Sequence, residues 1–347
     1  MSHKKTIHIL VIRLSAMGDV AMTVPVLRAL LQQNANLKIT VVTRAFFSPF
    51  FDEFENITLI TPDLKGEHKG FFGILRLFKS LKSLKFDAVA DLHNVLRSKI
   101  LVTLFRINGT TCAQLNKGRK EKKLLTKNDV TKKLHPLKTM HQRYALVFHK
   151  LGLSLDLLTI KTIQKRKVST PFFNKYKGKP VIGIAPFAAF KSKSLPINIL
   201  EQILQKLNFT EVILFGGGDK EKEILEKVAK KYSNVTSIIQ KVTFKEELDI
   251  IANLDVMIAM DSGNGHIAAM LQTPVITIWG LTHPYLGFTA FNQPKTHQIT
   301  PDLTKYPLIP TSVYGNKFPE EYLTCFNTIN IDKIIDLVKK HTRTKKE

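Results

Sequence analysis

An aspartate stands in the turn that follows the first apolar run of the sequence. The run IHILVI spans residues 7–12, and Asp19 comes shortly afterwards, directly behind Gly18. A carboxylate in a turn between a strand and a helix can take a proton from a hydroxyl group as a general base, and the glycine leaves room for a substrate. The same carboxylate can also cap the helix predicted for residues 20–33. The residues alone leave both roles open.

A second candidate site lies in the stretch MDSGNGHIAAM. A buried strand is predicted to end at Asp261 and a helix to begin near His266, with a glycine on each side of Asn264. Free N–H groups at the start of a helix, together with its dipole, bind phosphate without a cationic side chain. The alternative is an ordinary turn in which the glycines supply positive φ angles and Asp261 caps the helix. His266 by itself is interpreted as a packed or capping histidine.

Two further loops could complete a nucleotide site. In FKSKSLP, Lys193 precedes a helix that starts at Pro196, and its charge could neutralise a diphosphate; solvation at the surface is the alternative. In FGGGDKEKE, Asp219 follows a glycine turn and could bind ribose hydroxyls, although an acid there also stabilises the helix dipole. The sequence has no H-E-x-x-H, G-x-S-x-G or P-loop motif. It therefore predicts no metal site and no cofactor.

The elements that must position these residues are visible as an alternation of apolar runs and amphipathic stretches. Strands are predicted at 7–12, 38–43, 57–60, 86–92, 180–186, 211–218, 235–239, 256–263 and 274–280. Such an alternation predicts parallel sheets with helices on both faces. We therefore expect an α/β protein with two Rossmann-like parallel-sheet domains, which face a central cleft where the ligand binds.

The domain boundaries follow from the same alternation. Residues 1–165 are predicted to form the N-terminal domain and residues 181–328 the C-terminal domain. Residues 166–180 carry charge, proline and glycine without a sustained period, which indicates a linker. The amphipathic stretch 331–341 predicts a closing helix within the segment 329–347, which ends in a basic tail.

Composition limits the possible classes of protein. No run approaches the roughly 18 apolar residues that a membrane span requires, and the six-residue run near the start predicts a core strand rather than a signal peptide. Two cysteines, Cys112 and Cys325, cannot form a disulfide framework, so we expect a cytoplasmic protein.

The charge of the chain is strongly positive and uneven. The net charge is +24, and the segment 115–143 alone holds ten Lys or Arg against two acidic residues. Such a segment attracts anions, which could be nucleic acid, an anionic membrane face or a phosphorylated or carboxylated substrate. A merely solvated loop is the alternative, and interleaved aromatic residues of a single-strand binder are missing.

Taken together, these stretches resemble glycosyltransferase family 9, the heptosyltransferases of lipopolysaccharide core assembly. The resemblance rests on RLSAMGDVAMTVPVLRAL, DLHNVLRS, HQRYALVFHKLGL, KSLP, GGGDKE and DSGNGHIAAMLQTPVITIWGLT, which occur in this order over roughly residues 7–285. It implies the two-domain GT-B fold and a metal-independent transfer of a sugar, typically from ADP-heptose, with inversion of configuration.

The resemblance also implies roles for individual residues. Asp19 would be the catalytic base, and Val242 or Thr243 would lie near the adenine. The nucleotide-sugar would be bound by Lys193, Val242, Thr243, Asp261, Ser262, Gly263, Asn264, Gly265, His266 and Asp219. The acceptor would be bound by Arg97, Lys117, Arg119, Lys120 and Arg143.

The partners implied are an ADP-sugar donor, with ADP-heptose expected, and an anionic lipid-linked saccharide acceptor. Peripheral contact with the anionic inner face of the cytoplasmic membrane is also expected, and nucleic acid is not. Two other classes stay open at this point. A nucleotide-sugar epimerase of the same fold would need no acceptor, and a basic nucleic-acid-binding module would bind in a steeply salt-dependent way.

Overall fold

The computed structural model of the chain describes residues 6–167, residue 176 and residues 178–343. The chain divides into two compact units. Unit 1 consists of Met1–Lys117 and Met140–Thr162, and unit 2 of Gly118–Thr139 and Ile163–Glu347. Each unit is built around one parallel sheet.

The regular elements up to residue 149 are β1 (Ile7–Ile12), α1 (Met17–Ala21), α2 (Thr23–Gln33), β2 (Leu37–Val42), β3 (Ile57–Ile60), α3 (Gly70–Lys82), β4 (Ala88–Asp91), α4 (Leu96–Ile107), β5 (Thr111–Gln114), α5 (Arg119–Leu125) and α6 (Met140–His149). Those that follow are β6 (Val181–Ala185), α7 (Ile197–Gln205), β7 (Glu211–Leu214), α8 (Gly218–Ala229), β8 (Val235–Ser237), α9 (Phe244–Asn253), β9 (Val256–Met260), α10 (Gly263–Met270), β10 (Val275–Ile278), β11 (Gln298–Ile299) and α11 (Ile331–Arg343). Short 3-10 helices cover Ala45–Phe51, Lys191–Lys193, Pro284–Leu286, Lys295–His297 and Glu320–Thr328.

The sheet of unit 1 has the strand order β3-β2-β1-β4-β5, and every neighbouring pair is parallel. The last four residues of β1 and all of β4 are buried, because helices cover both faces of the sheet. The helix α3 packs Ile74, Leu77 and Leu81 into this core, at the spacing that places side chains on one helical face.

The sheet of unit 2 has the order β11-β10-β9-β6-β7-β8, again parallel throughout. The strands β6 and β9 lie at its centre and are wholly buried. In both sheets the carboxyl ends of the strands share one edge, so the loops that follow the strands come together there. The expectation of an α/β protein with two parallel sheets is confirmed.

Two predicted helices differ in detail from the structure. The helix predicted for 20–33 is divided into α1 and α2. The reason is Pro25, which lacks the N–H that would donate to the Ala21 carbonyl and is accepted only in the first turn of α2. The amphipathic stretch around Pro49 forms a 3-10 helix, Ala45–Phe51. The closing helix is present as α11.

The segment 118–139 packs with unit 2, although the predicted domain boundary placed it in the first domain. The Lys132 ammonium donates to the main-chain oxygens of Leu308 and Pro310 at 2.6 and 2.9 Å. The Leu137 N–H donates to the Tyr285 oxygen at 2.9 Å. These long-range contacts, which sequence periodicity cannot show, tie the segment to unit 2.

Some predictions lie outside the described residues. Most of the predicted linker 166–180 falls on residues 168–175 and 177, and the basic tail falls on residues 344–347. In the part of the chain that the structure describes, no helix combines the length and apolarity that crossing a bilayer demands. In that same part, no three His, Cys, Asp or Glu side chains converge as they would around a metal ion.

Candidate functional site

The carboxylate predicted as a base lies at the carboxyl edge of the first sheet. Asp19 is the third residue of α1, and 31% of its side chain is exposed. Its Oδ2 atom pairs with Arg13 Nη2 at 2.5 Å and accepts a longer hydrogen bond from the Ala16 N–H at 3.4 Å. Its Oδ1 atom accepts no hydrogen bond from the described residues. Oδ1 is therefore the oxygen that can receive a proton from a substrate.

Arg13 and Tyr144 hold Asp19 in place. Arg13 is buried, and its Nη1 atom donates to the Leu92 main-chain oxygen at 2.6 Å. The Tyr144 ring, on α6, lies 5.9 Å from the Arg13 guanidinium carbon, and its hydroxyl donates to the Asp19 main-chain oxygen at 3.4 Å. Burial raises the pKa of Tyr144, so the hydroxyl stays protonated as a donor. Both the side chain and the backbone of Asp19 are thus fixed from inside unit 1.

A neutral histidine lies beside this turn. His93 follows β4 and is buried, and its Nε2 atom lies 3.5 Å from the Ser15 hydroxyl. Burial, and then the positive charges of Arg13 and Lys117, lower the pKa of His93 to about 4. The Asp91 carboxylate accepts a hydrogen bond from the main-chain N–H of His93 at 2.9 Å and fixes the start of the loop. At neutral pH the histidine adds no charge to the site.

Sequence reasoning did not single out Arg13, His93 or Tyr144 as site residues. A signal was present, because they lie in RLSAMGD, DLHNVLRS and HQRYALVFHKLGL, three of the stretches that carry the resemblance. Their contacts join residues up to 125 positions apart in the chain. Spacing alone cannot show such contacts.

In unit 2, two predicted site residues are in direct contact. Lys193 Nζ lies 2.8 Å from Asp261 Oδ2, with 15% and 5% of the two side chains exposed. The Thr282 hydroxyl donates to the same oxygen at 3.0 Å. Lys193 ends a 3-10 helix and Asp261 directly follows β9. The structure therefore joins two loops of one sheet edge through a largely buried ion pair.

The helix after Asp261 begins earlier than the sequence indicated. α10 starts at Gly263 rather than near His266, with Ser262 as its N-terminal cap residue. Gly263 and Gly265 are helical, so they do not serve to supply positive φ angles, and Asp261 is not the cap. A side chain on Gly265 would press on Ala259, with Cβ atoms 3.3 Å apart. Gly265 thus lets the start of the helix lie close against the sheet.

The start of α10 offers donors for an anion. The first N–H groups of a helix have no partner within the helix. The Ser262 side chain makes no capping hydrogen bond, and its buried hydroxyl has no partner among the described residues. Asn264, the second residue of α10, is half-buried, and His266, two residues later, is buried. Backbone donors, a hydroxyl and a nearby lysine are the groups that bind phosphate.

Residues that the sequence could not assign help to position Lys193. Gly315 has a φ of 82°, and a Cβ atom there would come within 2.7 Å of Lys193 Cδ and of the Ser192 hydroxyl. The Ser192 hydroxyl donates to the Gly315 oxygen at 2.5 Å. Only a glycine combines this backbone conformation with such a close approach. The loop around Gly315 therefore packs on the aliphatic part of Lys193.

The residues predicted to bind the nucleoside lie after β7 and β8: Asp219 is in the first turn of α8, and Val242 and Thr243 are in the loop before α9. Thr243 caps α9, since its hydroxyl accepts the Glu246 N–H at 3.3 Å and its own N–H donates to the Glu246 carboxylate at 2.7 Å. Val242, one residue earlier, is half-buried. Asp219 is exposed and accepts a hydrogen bond from Gln240 Nε2 at 2.9 Å. This contact brings Asp219 next to the loop that holds Val242 and Thr243.

The residues predicted to bind the acceptor are divided between the units. Arg97, Lys117 and Arg143 belong to unit 1, where Arg143 is buried and donates to the Asn116 oxygen at 3.4 Å. Arg119 and Lys120 are exposed on α5 of unit 2. The structure thus places the five residues in two groups, one in each unit.

Comparisons with known proteins agree with this architecture. The family model described as Glycosyltransferase family 9 (heptosyltransferase) matches residues 74–309. A lipooligosaccharide heptosyltransferase 2 of Campylobacter jejuni is 24% identical over 332 residues, which covers 93% of this chain and 96% of the relative.

Solved structures are similar over nearly the whole chain. The structure of E. coli ADP-heptose lps heptosyltransferase II has a TM-score of 0.69 at 18% identity. The match covers 98% of this chain and 100% of the E. coli chain. The structure of E. coli heptosyltransferase WaaC with ADP-2-deoxy-2-fluoro heptose has a TM-score of 0.63 at 18% identity, with coverage of 96% and 99%. This likeness confirms the GT-B fold.

Proposed function

Because the chain belongs to glycosyltransferase family 9, the heptosyltransferases, we propose that it transfers a heptose from ADP-heptose to an anionic lipid-linked saccharide during lipopolysaccharide core biosynthesis. The transfer would invert the configuration of the sugar and need no metal ion. The observation that carries the proposal is the contact of Lys193 with Asp261 beside the start of α10, which supplies a cation and free backbone donors for a diphosphate. The E. coli relative whose structure contains ADP-2-deoxy-2-fluoro heptose supports an ADP-sugar as the donor.

In the proposed donor complex the diphosphate lies at the start of α10. The N–H groups of Gly263, Asn264 and Gly265, the Ser262 hydroxyl and Lys193 would contact its oxygens. A carboxylate repels phosphate but accepts hydrogen bonds from hydroxyl groups, so Asp261 would face the sugar. The adenine would lie near Val242 or Thr243 and the ribose near Asp219, and His266 would pack beneath the diphosphate.

In the proposed reaction the acceptor hydroxyl attacks the anomeric carbon from the face opposite ADP. The new glycosidic bond forms as the bond to the diphosphate breaks, and a single displacement of this kind inverts the configuration. The hydroxyl proton passes to Asp19 Oδ1, while Arg13 holds Oδ2. The negative charge left on ADP is stabilised by Lys193 and the donors of α10.

The acceptor is proposed to carry negative charges that the basic residues recognise. The residues proposed to contact it are Arg97, Lys117, Arg119, Lys120 and Arg143. The protein would work in the cytoplasm, in peripheral contact with the anionic inner face of the membrane that holds the acceptor.

Charge reversal on α5 tests the acceptor part of the proposal. Arg119→Glu with Lys120→Glu is expected to raise the acceptor KM and to leave donor affinity unchanged, because both side chains are exposed and neither is among the residues proposed to bind the donor. The increase in KM should shrink as salt rises, since charges are screened beyond about 8–10 Å at physiological ionic strength. Steady-state kinetics at several salt concentrations measures this.

The matched control is Lys305→Glu with Lys333→Glu, which makes the same change in net charge at two other exposed positions of unit 2. The control should keep the parental KM. An unchanged acceptor KM in the α5 variant would show that this helix is only a solvated surface.

A screen of nucleotide-sugars by thermal shift tests the donor. ADP-heptose at a hundredfold excess over its dissociation constant should stabilise the protein by about 2.7 kcal/mol. UDP-sugars and GDP-sugars at the same concentration should give no comparable shift. Stabilisation by a UDP-sugar without any by ADP-heptose would contradict the proposed donor.

A further inference from the structure

A tyrosine with an exposed side chain lies next to the proposed diphosphate site. Tyr314 is 53% exposed and directly precedes Gly315, the glycine that packs on the aliphatic part of Lys193. The match to the family model ends at residue 309, and the stretches that carry the resemblance end near residue 285. Tyr314 therefore lies outside the residues to which the family gives a role.

The loop that carries this tyrosine is held in place by hydrogen bonds. We call residues 308–317 the Tyr314 loop. Lys132 holds its start through two main-chain oxygens. The Thr311 N–H donates to the Leu281 oxygen at 3.0 Å, and the Thr311 hydroxyl donates to the Lys317 oxygen at 3.0 Å, which closes the loop on itself. The exposed ring is thus carried by a fixed support.

Phe288 supports the Tyr314 ring from one side. The two ring centroids lie 6.1 Å apart with an angle of 46° between the planes, a separation at which aromatic pairs attract each other. Phe288 is itself fixed, because the ammonium of the buried Lys122 lies 3.7 Å from its ring centroid. An aromatic side chain that is held in place and still exposed beside a polar site is typical of a ligand contact.

The strand order indicates which part of a nucleotide-sugar the ring would meet. Five strands of the sheet of unit 2 have the order β10-β9-β6-β7-β8. The residues proposed for the nucleoside follow β7 and β8, and those proposed for the diphosphate follow β6 and β9. The Tyr314 loop is bonded to Leu281, which follows β10, on the side of the diphosphate residues away from the nucleoside. An ADP-sugar that lies along this edge therefore brings its sugar, and not its adenine, to Tyr314.

We propose that Tyr314 is a sugar-binding residue of the donor site, whose ring packs on the C–H face of the heptose carried by ADP. A sugar ring has C–H groups on its faces and hydroxyl groups at its rim. The aromatic ring covers the apolar face, while Asp261 accepts hydrogen bonds from the hydroxyl groups. The inference rests on the proposed function, from which it takes the sugar and the position of the diphosphate. It adds a contact that selects the sugar rather than the nucleotide.

Calorimetric titration with ADP and with ADP-heptose tests this contact. Tyr314→Ala is expected to weaken the binding of ADP-heptose by about tenfold, because an aromatic ring no longer covers the sugar. The affinity for ADP should stay unchanged, since ADP has no sugar beyond the diphosphate, and this also shows that the variant is folded with Lys193 in place. Tyr314→Phe should restore most of the affinity for ADP-heptose, because phenylalanine keeps the apolar ring.

The matched control removes an exposed aromatic ring elsewhere in unit 2. Phe209 is 38% exposed and lies two residues before β7, at the amino edge of the sheet. Phe209→Ala should bind both ligands with parental affinity. An equal loss of ADP and ADP-heptose affinity in Tyr314→Ala would overturn the proposal, because the Tyr314 loop would then only support Lys193. Unchanged affinity for both ligands with a raised acceptor KM would also overturn it, by assigning the ring to the acceptor.

Saturation-transfer NMR reports the contact without depending on a loss of affinity. The heptose protons of ADP-heptose should receive more saturation from the parental protein than from Tyr314→Ala, measured relative to the ribose protons of the same ligand. An equal ratio of heptose to ribose signals in the two proteins would show that the sugar does not touch this ring.

Sugar transfer separates this inference from the proposed function. A protein whose affinity for ADP-heptose depends on Tyr314, but which transfers no sugar to a lipopolysaccharide-core acceptor, would contradict the proposed function and leave the contact intact. A protein that transfers heptose while Tyr314→Ala keeps the parental affinity for ADP-heptose would overturn the contact alone.

Discussion

Asp19→Asn is expected to lower the rate of sugar transfer by at least about a hundredfold, the lower end of what a general base contributes. An alcohol is a weak nucleophile at neutral pH, and asparagine cannot take its proton. Asparagine can still accept the Ala16 N–H and one N–H of Arg13, so α1 should keep its position. ADP-heptose affinity should therefore stay at the parental value.

The structure adds a cost in stability to this expectation. Arg13 is buried, and in the variant its charge loses the carboxylate that it faces at 2.5 Å. The loss of a charged hydrogen-bond partner costs about 1–3 kcal/mol, so the melting temperature should fall by some degrees while the protein stays folded at the assay temperature. The retained thermal shift with ADP-heptose would show that folding is not the cause of the lost rate.

A matched control is Asp156→Asn. Asp156 is another aspartate of unit 1, exposed, whose carboxylate accepts the Leu158 N–H at 2.9 Å. This variant should transfer sugar at the parental rate. If Asp19→Asn also did so, Asp19 would be a helix cap only, and the base would have to be sought at His266 or Asp261.

Lys193→Ala is expected to lower kcat by about 10²–10³ and also to weaken nucleotide binding. Charge builds on the phosphate oxygen as the glycosidic bond breaks, and Lys193 would stabilise it most in the transition state. The substitution also leaves Asp261 largely buried without its cation, and that carboxylate then repels the diphosphate. The loss of the cation and the repulsion by Asp261 both destabilise the diphosphate.

The chain offers a control in the same 3-10 helix. Lys191 is 73% exposed and lies 3.5 Å from an exposed carboxylate, that of Glu320, so Lys191→Ala should change neither kcat nor nucleotide affinity. Combining Lys193→Ala with Asp261→Asn should restore part of the nucleotide affinity but not kcat, because the repulsion is gone and the cation is still missing. A change in KM alone in Lys193→Ala would show uniform binding and refute the role in the transition state.

The strands were predictable because parallel strands covered on both faces appear as continuous apolar runs, as IHILVI and VMIAM do. β5 was missed because TCAQ is short and only its alanine is buried. The start of α10 was placed too late because glycine has a low helix propensity, which here yields to the close packing of Gly265 on Ala259. Local patterns decide the first case, whereas β5 depends on its pairing with β4 and the start of α10 depends on packing against the sheet.

The site was predictable only as separate loops. The sequence indicated Lys193 and Asp261 independently, since it does not show that two residues separated by 68 positions form an ion pair. Arg13 was not indicated as the partner of Asp19, because the pairing depends on how the turn of residues 13–19 folds over the end of β1. The roles of all these residues in binding and catalysis stay predictions.

The most direct test of the proposed function is an NMR assay of the purified protein with ADP-heptose and a deacylated lipopolysaccharide-core acceptor. ADP should appear only when the acceptor is present, and the new glycosidic bond should have the configuration opposite to that of the donor. Release of ADP or free sugar without an acceptor would instead indicate an enzyme of the epimerase type. A product with retained configuration would contradict the single displacement with Asp19 as base.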